Sequence, residues 1–388
     1  MNVGIIAEYN PFHKGHKLHI TNTKALTDAD NIIAIISGSF VQRGEPAVID
    51  KFSRTKTALL NGVDMVLELP VQYAAGSADV FAYGAVDSLN KSGIIDVLSF
   101  GTEQGDIELF SEAAQLLANE TEEFKRAIRE ELNTGQSYAA ARLSALSKVL
   151  SRDMSFLSLP NNILALEYLK ALIILKSNIK PVTVKRQVNG YNSIQMSGEI
   201  SSAAAIRHSL KNDELDIALS AVPSDSHKDI IKAVKEGIPD IDSYTNILKY
   251  ILLTKTLEEL RNIDGMSEGL ENRILSAYNL SSVSKIADHV KSKRYAHSRV
   301  RRTILHILLN ITKEDTARGA EYIRVLGFRK EKSHLVSELT KKSAVPVITN
   351  VKNAPEGLLN KEIFATDMYF LPIVKEKNKD FTTPMVII

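Results

Sequence analysis

The sequence predicts an α/β fold, a doubly wound parallel sheet followed by a mostly helical C-terminal domain. Three observations predict it. Short Val- and Ile-rich runs alternate with helical stretches through the first half of the chain. Those runs are apolar almost throughout, as strands covered by helices on both faces must be. Beyond about residue 213 the strand signals fade and helical periodicity takes over.

The elements follow in order. Strand-like runs occupy Val3–Ala7, Asn31–Ser37, Met65–Leu69, Val97–Phe100 and Pro181–Lys185. Helical stretches lie between them at His16–Leu26, Lys51–Asn61 and Ser77–Lys91, then at a long Glu108–Leu150 and at Asn162–Leu175. Each strand run is bounded by Gly, Asp, Ser or Pro, which punctuate such elements. A helix at Ala203–Leu210 closes the first domain, set at residues 1–212. The second domain, 213–388, shows helices at His227–Glu236, Tyr244–Arg261, Leu270–Leu280, Ser282–His289 and Ser298–Asn310. In the last of these, Val300, Ile304, Ile307, Leu308 and Ile311 recur at helical spacing. Short β-like returns are expected at Ala344–Thr349 and Tyr369–Val374.

Composition narrows the class. The chain has 388 residues, 44% hydrophobic and 24% charged, as in an ordinary globular protein of about two domains. No apolar run reaches the roughly 18–20 residues needed to cross a membrane. The N-terminus has neither a basic n-region nor a small-residue cleavage site, so a signal peptide is not expected. There are no cysteines, which removes disulfides, thiolate nucleophiles and cysteine zinc sites. A cytoplasmic protein is the expectation. Net charge is only +2, but the cations are unevenly placed.

The first strand runs directly into Glu8-Tyr9-Asn10-Pro11-Phe12-His13-Lys14-Gly15-His16. Two histidines three residues apart at a helix start would face the same ligand. Free backbone N–H groups and the helix dipole favour phosphate there. Gly15 removes a side chain where nucleotide and backbone must approach, and Lys14 or Lys17 could add charge. A zinc site at His13, His16 and His19 is disfavoured, because His19 is turned away on the helix and no further ligand is evident. A second helix start, Gly198-Glu199-Ile200-Ser201-Ser202, carries Arg207 and follows the fifth strand run. Capping explains its serines but not the arginine. Two helix N-termini can clamp one triphosphate.

Asn10–His16 together with Ile200-Ser201-Ser202-x-x-x-x-Arg207 resembles the nucleotidylyltransferase superfamily, with its His-x-Gly-His and Ile-Ser-Ser-Thr-x-x-Arg motifs. Ala203 stands where that superfamily has a hydroxyl, and Arg207 falls one residue late. Lys51-Phe52-Ser53-Arg54-Thr55 has a superficial likeness to the second signature loop of class I aminoacyl-tRNA synthetases. It comes far too early in the chain for that role. The segments Gln42-Arg43-Gly44-Glu45-Pro46, Asp64–Pro70, Phe100-Gly101-Thr102-Glu103 and Pro160–Tyr168 bring the resemblance to one bacterial family, the tRNA(Met) cytidine acetate ligases.

The resemblance implies a Rossmann-like nucleotidylyltransferase fold and an ATP-binding catalytic domain at 1–212. It implies acetyl-adenylate formation and transfer of acetyl to N4 of the wobble cytidine of elongator tRNA(Met). His13 and His16 would act at the α-phosphate, and Ser201, Ser202 and Arg207 at the β,γ-phosphates. The implied nucleotide contacts are Ala7, Glu8, Tyr9, Asn10, Pro11, Phe12, His13, Lys14, Gly15, His16, Lys17, Leu18, His19, Ile20, Gly101, Asn161, Asn162 and Arg186. Capping after Pro160 is the competing reading for one of the two asparagines. Gln42 and Arg43 could line the acetate or cytidine pocket. Mg²⁺ is expected with ATP, and no protein partner or membrane is implied. Alternatives are a small-molecule adenylyltransferase and a noncatalytic RNA-binding protein.

In the second domain, Lys291 to Arg302 interleaves Lys293, Arg294, Arg299, Arg301 and Arg302 with Tyr295 and His297. Cations beside an aromatic suit RNA phosphates and a stacked base. Tyr322, Arg324, Phe328 and Arg329 repeat that pattern more faintly.

Overall fold

Helices cover both faces of the central strands, so those strands are apolar along their length. The computed structural model describes residues 1–103, 106–186, 201–267, 269–374 and 377–388. In chain order its strands are β1 (Asn2–Ala7), β2 (Asn31–Ser37), β3 (Phe40–Val41), β4 (Glu45–Pro46), β5 (Met65–Leu69), β6 (Val97–Thr102) and β7 (Lys180–Lys185), then β8 (Ile323–Phe328), β9 (Val347–Ile348) and β10 (Val386–Ile387). The main sheet runs β10-β8-β5-β2-β1-β6-β7, with β9 on β8, while β3 and β4 form a separate antiparallel ribbon. The pairs β5–β2, β2–β1, β1–β6 and β6–β7 are parallel. The chain winds outward from β1 through β2 to β5, then returns to β1's other side at β6. That reversal is the topological switch point, where a ligand crevice opens beyond the carboxyl ends of the strands.

The sheet takes strands from both sides of residue 212. β8 lies antiparallel to β5, and β10 pairs parallel with β8. The expected strand at Tyr369–Val374 is instead the end of a helix, Asn360–Phe370, and the turn after it. Tyr369 is buried there against Phe40, with ring centroids 6.4 Å apart. The long helix expected at Glu108–Leu150 is three helices, Ile107–Ala118, Glu122–Asn133 and Tyr138–Leu150. Thr121 and Ser137 restart it by accepting the Phe124 and Ala140 N–H groups. Likewise Tyr244–Arg261 breaks into Thr245–Thr254 and Leu257–Asn262, the latter opened by a Thr256–Glu259 capping box.

Between residues 241 and 317 the chain is helical and forms a core of its own, including Leu248, Ile274, Ile286, Ile304 and Leu308. Phe40, Val41 and Ala47 of the ribbon region belong to that same core. The ribbon therefore joins the helical region to the sheet beside the switch point.

The faint basic pattern at 322–329 is not a surface. All of β8 is buried. The Arg324 guanidinium lies 2.9 Å from Glu68 and 2.8 Å from Asp380, and Lys51 reaches the same two carboxylates at 2.7 and 2.9 Å. Glu362 accepts the Val71 N–H nearby. Burial, then the Glu68 charge, push its carboxyl up to about 8. Buried charges need such partners. Here they fasten the C-terminal segment to β5 and β8.

Candidate functional site

β1 ends in a loop whose Tyr9 adopts positive φ (49°), and the loop delivers His13 as N-cap of the helix Lys14–Thr27. Nδ1 of His13 accepts the Gly15 N–H at 3.1 Å, and Nδ1 of His16 accepts the His13 N–H at 3.2 Å. Two imidazoles thus make a reciprocal capping box, a task more often given to Ser or Thr with Glu. The rings stack with centroids 3.7 Å apart at 25°. Tyr9 packs edge-on against His16 at 4.9 Å and steadies the stack. Because both Nδ1 atoms accept, the neutral rings carry their proton on Nε2. Burial, then Arg186 and Arg207, hold His13 down to about 3. Burial and the neighbouring His13 charge hold His16 well below its ordinary value. Burial and Arg186 hold His19 at about 4. At neutral pH the stacked pair therefore carries two Nε2–H donors without charge.

Both rings line a cavity of about 920 Å³ at the switch point. Across it begins the helix Ala203–Lys211, capped by Ser202, whose Oγ accepts the Ala205 N–H at 3.1 Å. Ser201 is buried beside it, its Oγ without a partner among the described residues. The preceding Gly198, Glu199 and Ile200 lie outside the described residues. Arg207 donates to the Asn10 carbonyl at 2.8 Å and lies 3.6 Å from Glu45. It ties the second helix to the β1 loop. On the β6 side, the Arg186 stem lies over Gly101, where a Cβ would come 3.1 Å from Arg186 Cγ. Arg186 donates to Asn161 Oδ1 at 3.1 Å. Glu103 caps the helix Pro160–Ile174 by accepting the Asn161 and Asn162 N–H groups at 3.2 and 3.1 Å.

The fourth wall comes from the helical region. Arg301 and Arg302, on the helix His297–Leu309, line the cavity, and Arg301 pairs with Glu45 at 3.0 Å. Gly44 turns at φ 73°, and a Cβ there would stand 2.7 Å from the Arg302 amide nitrogen. Only glycine lets the Gln42–Glu45 turn sit so close to that helix.

A model of the HIGH Nucleotidyl Transferase family matches residues 1–383. The chain is 42% identical over 399 aligned positions to a Thermoanaerobacter sp. (strain X514) protein named tRNA(Met) cytidine acetate ligase, covering 99% of each chain. An Acetivibrio thermocellus protein of the same name is 37% identical, again over 99% of each. The chain belongs to the tRNA(Met) cytidine acetate ligase family. The apo crystal structure of Thermotoga maritima TmcAL superposes at a TM-score of 0.93, with 32% identity over 100% of this chain and 99% of that one. A second crystal form of that protein, bound with alpha-thio ATP, superposes at 0.91 with 33% identity and the same coverage. The family match spans the helical half as well as the sheet.

Among the residues singled out from the sequence, Ala7, Glu8, Tyr9, Asn10, His13, His16, His19, Gln42, Arg43, Gly101, Asn161, Arg186, Ser202, Arg207, Arg301 and Arg302 line the cavity. Gly15 supplies the N–H that orients His13. Phe12 and Ile20 are core residues. Pro11, Lys14, Lys17 and Leu18 fall outside the lining. Asn162 is fully buried, its Oδ1 accepting the Glu103 N–H at 3.0 Å and its Nδ2 donating to the Phe156 carbonyl at 2.9 Å. Lys293 and Arg294 are exposed on the helical region, and Arg299 donates to Ser267. Tyr295 offers no open face, contrary to the sequence expectation. It is 3% exposed, and Arg273, Arg294 and Arg299 stand 5.8, 5.9 and 5.6 Å from its ring centroid.

Sequence reasoning missed Glu45, which joins Arg207 to Arg301, and Arg54. The buried Arg54 guanidinium donates to the carbonyls of Ile49, Glu8, Ser37 and Gly38, stapling the ends of β1 and β2 together. No cluster of three or more His, Asp or Glu side chains suited to a metal occurs among the described residues. Among them, too, no helix is long and apolar enough to cross a membrane.

Proposed function

We propose that the protein uses ATP to activate acetate as acetyl-adenylate and transfers the acetyl group to N4 of the wobble cytidine of elongator tRNA(Met). The observation that carries this reading is the pair of neutral Nε2–H donors at a helix N-terminus, facing Arg207 on a second helix across one cavity. Such fixed donors suit charge that grows on α-phosphate oxygens during displacement. The names of the relatives, and the alpha-thio ATP bound by the Thermotoga protein, support the same assignment.

In the first step an acetate oxygen bonds to the α-phosphorus and the bond to the β-phosphate breaks, releasing pyrophosphate. His13 and His16 donate to the α-phosphate oxygens, and the Gly15 N–H keeps the His13 ring in place. Arg207 faces the outer phosphates. Ser202 acts by capping its helix, and Ser201 lies beside that N-terminus. Gly101, Asn161 and Arg186 receive the adenosine. Mg²⁺ would ride on the phosphate oxygens, since the nearby Glu45 is engaged by two arginines. In the second step the cytidine N4 adds to the acetyl carbonyl, the acyl–phosphate bond breaks, and the N4 proton leaves to a phosphate oxygen of AMP. Residues 1–212 form the ATP-binding catalytic part and 213–388 the mainly helical tRNA-binding part, with Lys293, Arg294 and Arg299 toward RNA phosphates.

The test is incubation with ATP, acetate and elongator tRNA(Met), followed by mass spectrometry of the nucleosides. N4-acetylcytidine with AMP is expected. Folded protein yielding none overturns the reading.

A further inference from the structure

Three nitrogen atoms of the cavity-lining residues are buried without a hydrogen-bond partner among the described residues: Asn10 Nδ2, Gln42 Nε2 and Arg301 Nε. All three are N–H donors. A buried donor left unpaired is costly, and folded proteins keep few of them without a reason. These belong to one side of the switch point. Asn10 follows β1, Gln42 sits in the turn between β3 and β4, and Arg301 grips that turn through Glu45. The polar groups of Asn161 and Arg186, on the β6 side, bond to each other. One contact orients the Asn10 amide, and another places the Gln42 backbone. Asn10 Oδ1 accepts the Val48 N–H at 2.8 Å, so Nδ2 is the atom left over. The Gln42 backbone N–H donates to Glu8 Oε1 at 2.8 Å, which places the residue beside the β1 loop. Asn10 is 2% exposed.

We propose that the Asn10 and Gln42 carboxamides hold the carboxylate of the small acid substrate, fixing one oxygen while the other attacks the α-phosphate. The proposal rests on the acetate-activation reading above. Unpaired donors call for a ligand that only accepts, which a carboxylate is. Neutral amides suit a nucleophile better than a guanidinium would, because they orient it without neutralising its charge. The two nearby guanidiniums already share Glu45, at 3.6 Å from Arg207 and 3.0 Å from Arg301. In the step itself the free oxygen bonds to the α-phosphorus and the bond to the β-phosphate breaks. Pyrophosphate leaves with the electron pair, and no proton moves. The held oxygen becomes the carbonyl oxygen of acetyl-adenylate, still an acceptor for the same donors.

The experiment is acetate-dependent exchange of pyrophosphate into ATP, with KM for acetate and for ATP measured separately. Gln42→Met deletes one donor at similar length. Asn10→Asp keeps the oxygen that accepts from Val48 and replaces the donor by an acceptor. Each is expected to raise the acetate KM about tenfold to a hundredfold, the loss typical of a hydrogen bond to a charged group, with the ATP KM within about threefold of wild type. An unchanged acetate KM, a fall in kcat alone, or parallel rises in both KM values overturns the assignment. If Asn10→Asp fails to fold, Gln42→Met decides, since its Nε2 bonds to nothing among the described residues. Wild-type protein without acetate-dependent exchange brings down the functional reading. Wild-type exchange with unaltered variants brings down only this inference.

Discussion

Replacing His16 with asparagine separates the two tasks of its ring. An asparagine side chain can place a carbonyl oxygen near the Nδ1 position, so the acceptor for the His13 N–H, now 3.2 Å away, survives. The Nε2–H donor is deleted. Removing one preorganised donor from a developing oxyanion costs about 2.7–4 kcal/mol, or about 10²–10³ in kcat. The structural loss is smaller, because capping interactions are worth only about 1 kcal/mol and this one is retained. The assay is acetate-dependent pyrophosphate exchange, read beside the thermal midpoint and ATP binding. His16→Asn is expected to lower kcat about 10²–10³-fold with nearly unchanged melting. His16→Ala, which removes both atoms, should lose the same rate and also the cap. His16→Gln, whose amide can reach the Nε2 position, should recover part of the rate. A kcat within about fivefold of wild type for His16→Asn refutes the donor assignment. So does a rate loss that only tracks unfolding.

Three further outcomes are expected. His13 at about 3 and His19 at about 4 lie below the ordinary 6.5. At these two sites the unfolded chain therefore binds more protons between those values, so their contribution to stability is level above about pH 6.5 and falls as pH drops below it. The slope is about 1.4 kcal/mol per pH unit for each histidine. Denaturation midpoints from pH 7.5 to 5 should show this slope reduced in His13→Asn; an identical slope contradicts it. Glu362, raised from 4.5 to about 8, has the opposite sign: its contribution is complete below 4.5 and is lost as pH rises through 8. Glu362→Gln, a mimic of the protonated acid, should therefore gain on wild type between pH 5 and 8 in the same denaturation series. Lys293→Ala with Arg294→Ala should weaken tRNA binding, lower its salt dependence by about one unit for each phosphate no longer neutralised, and leave pyrophosphate exchange intact. Equal loss in both assays would move those residues into the catalytic site.

The alternation of strands and helices was legible because strands buried on both faces must be apolar, and the run into His13 and His16 was legible because phosphate sites favour helix starts. What failed shares a cause. Arg324 breaks the apolar run of β8, so the strand reads as a basic patch. Its partners Glu68 and Asp380 come from distant parts of the chain, and nothing in the local pattern announces them. Tyr295 among cations has the composition of an RNA-stacking surface, yet the same cations pack on its ring and bury it. Local pattern gives residue type and period. It does not say whether a charge faces water or another charge.

The same limit applies within the site, and there it has a chemical consequence. A His-x-Gly-His segment at a helix start places two imidazoles against one ligand but does not give their charge. In the structure each Nδ1 is occupied by a backbone N–H, and burial beside Arg186 and Arg207 keeps the rings neutral. Under the proposed function, net charge at the phosphates is then left to the arginines, and the histidines contribute direction. Glu45 sets how much of that charge is spent within the protein, since it pairs with Arg207 from the first half and Arg301 from the second. In the proposed reaction, incoming phosphates would compete with Glu45 for these guanidiniums. Nucleotide binding and the seating of the helical region on the sheet would thereby be linked through one carboxylate. Glu45→Gln tests the link: it should tighten ATP binding by freeing the arginines while loosening the contact that brings the helical region to the cavity, so that ATP affinity rises as acetylcytidine formation falls. Both quantities moving in the same direction would show that Glu45 only holds the ribbon in shape.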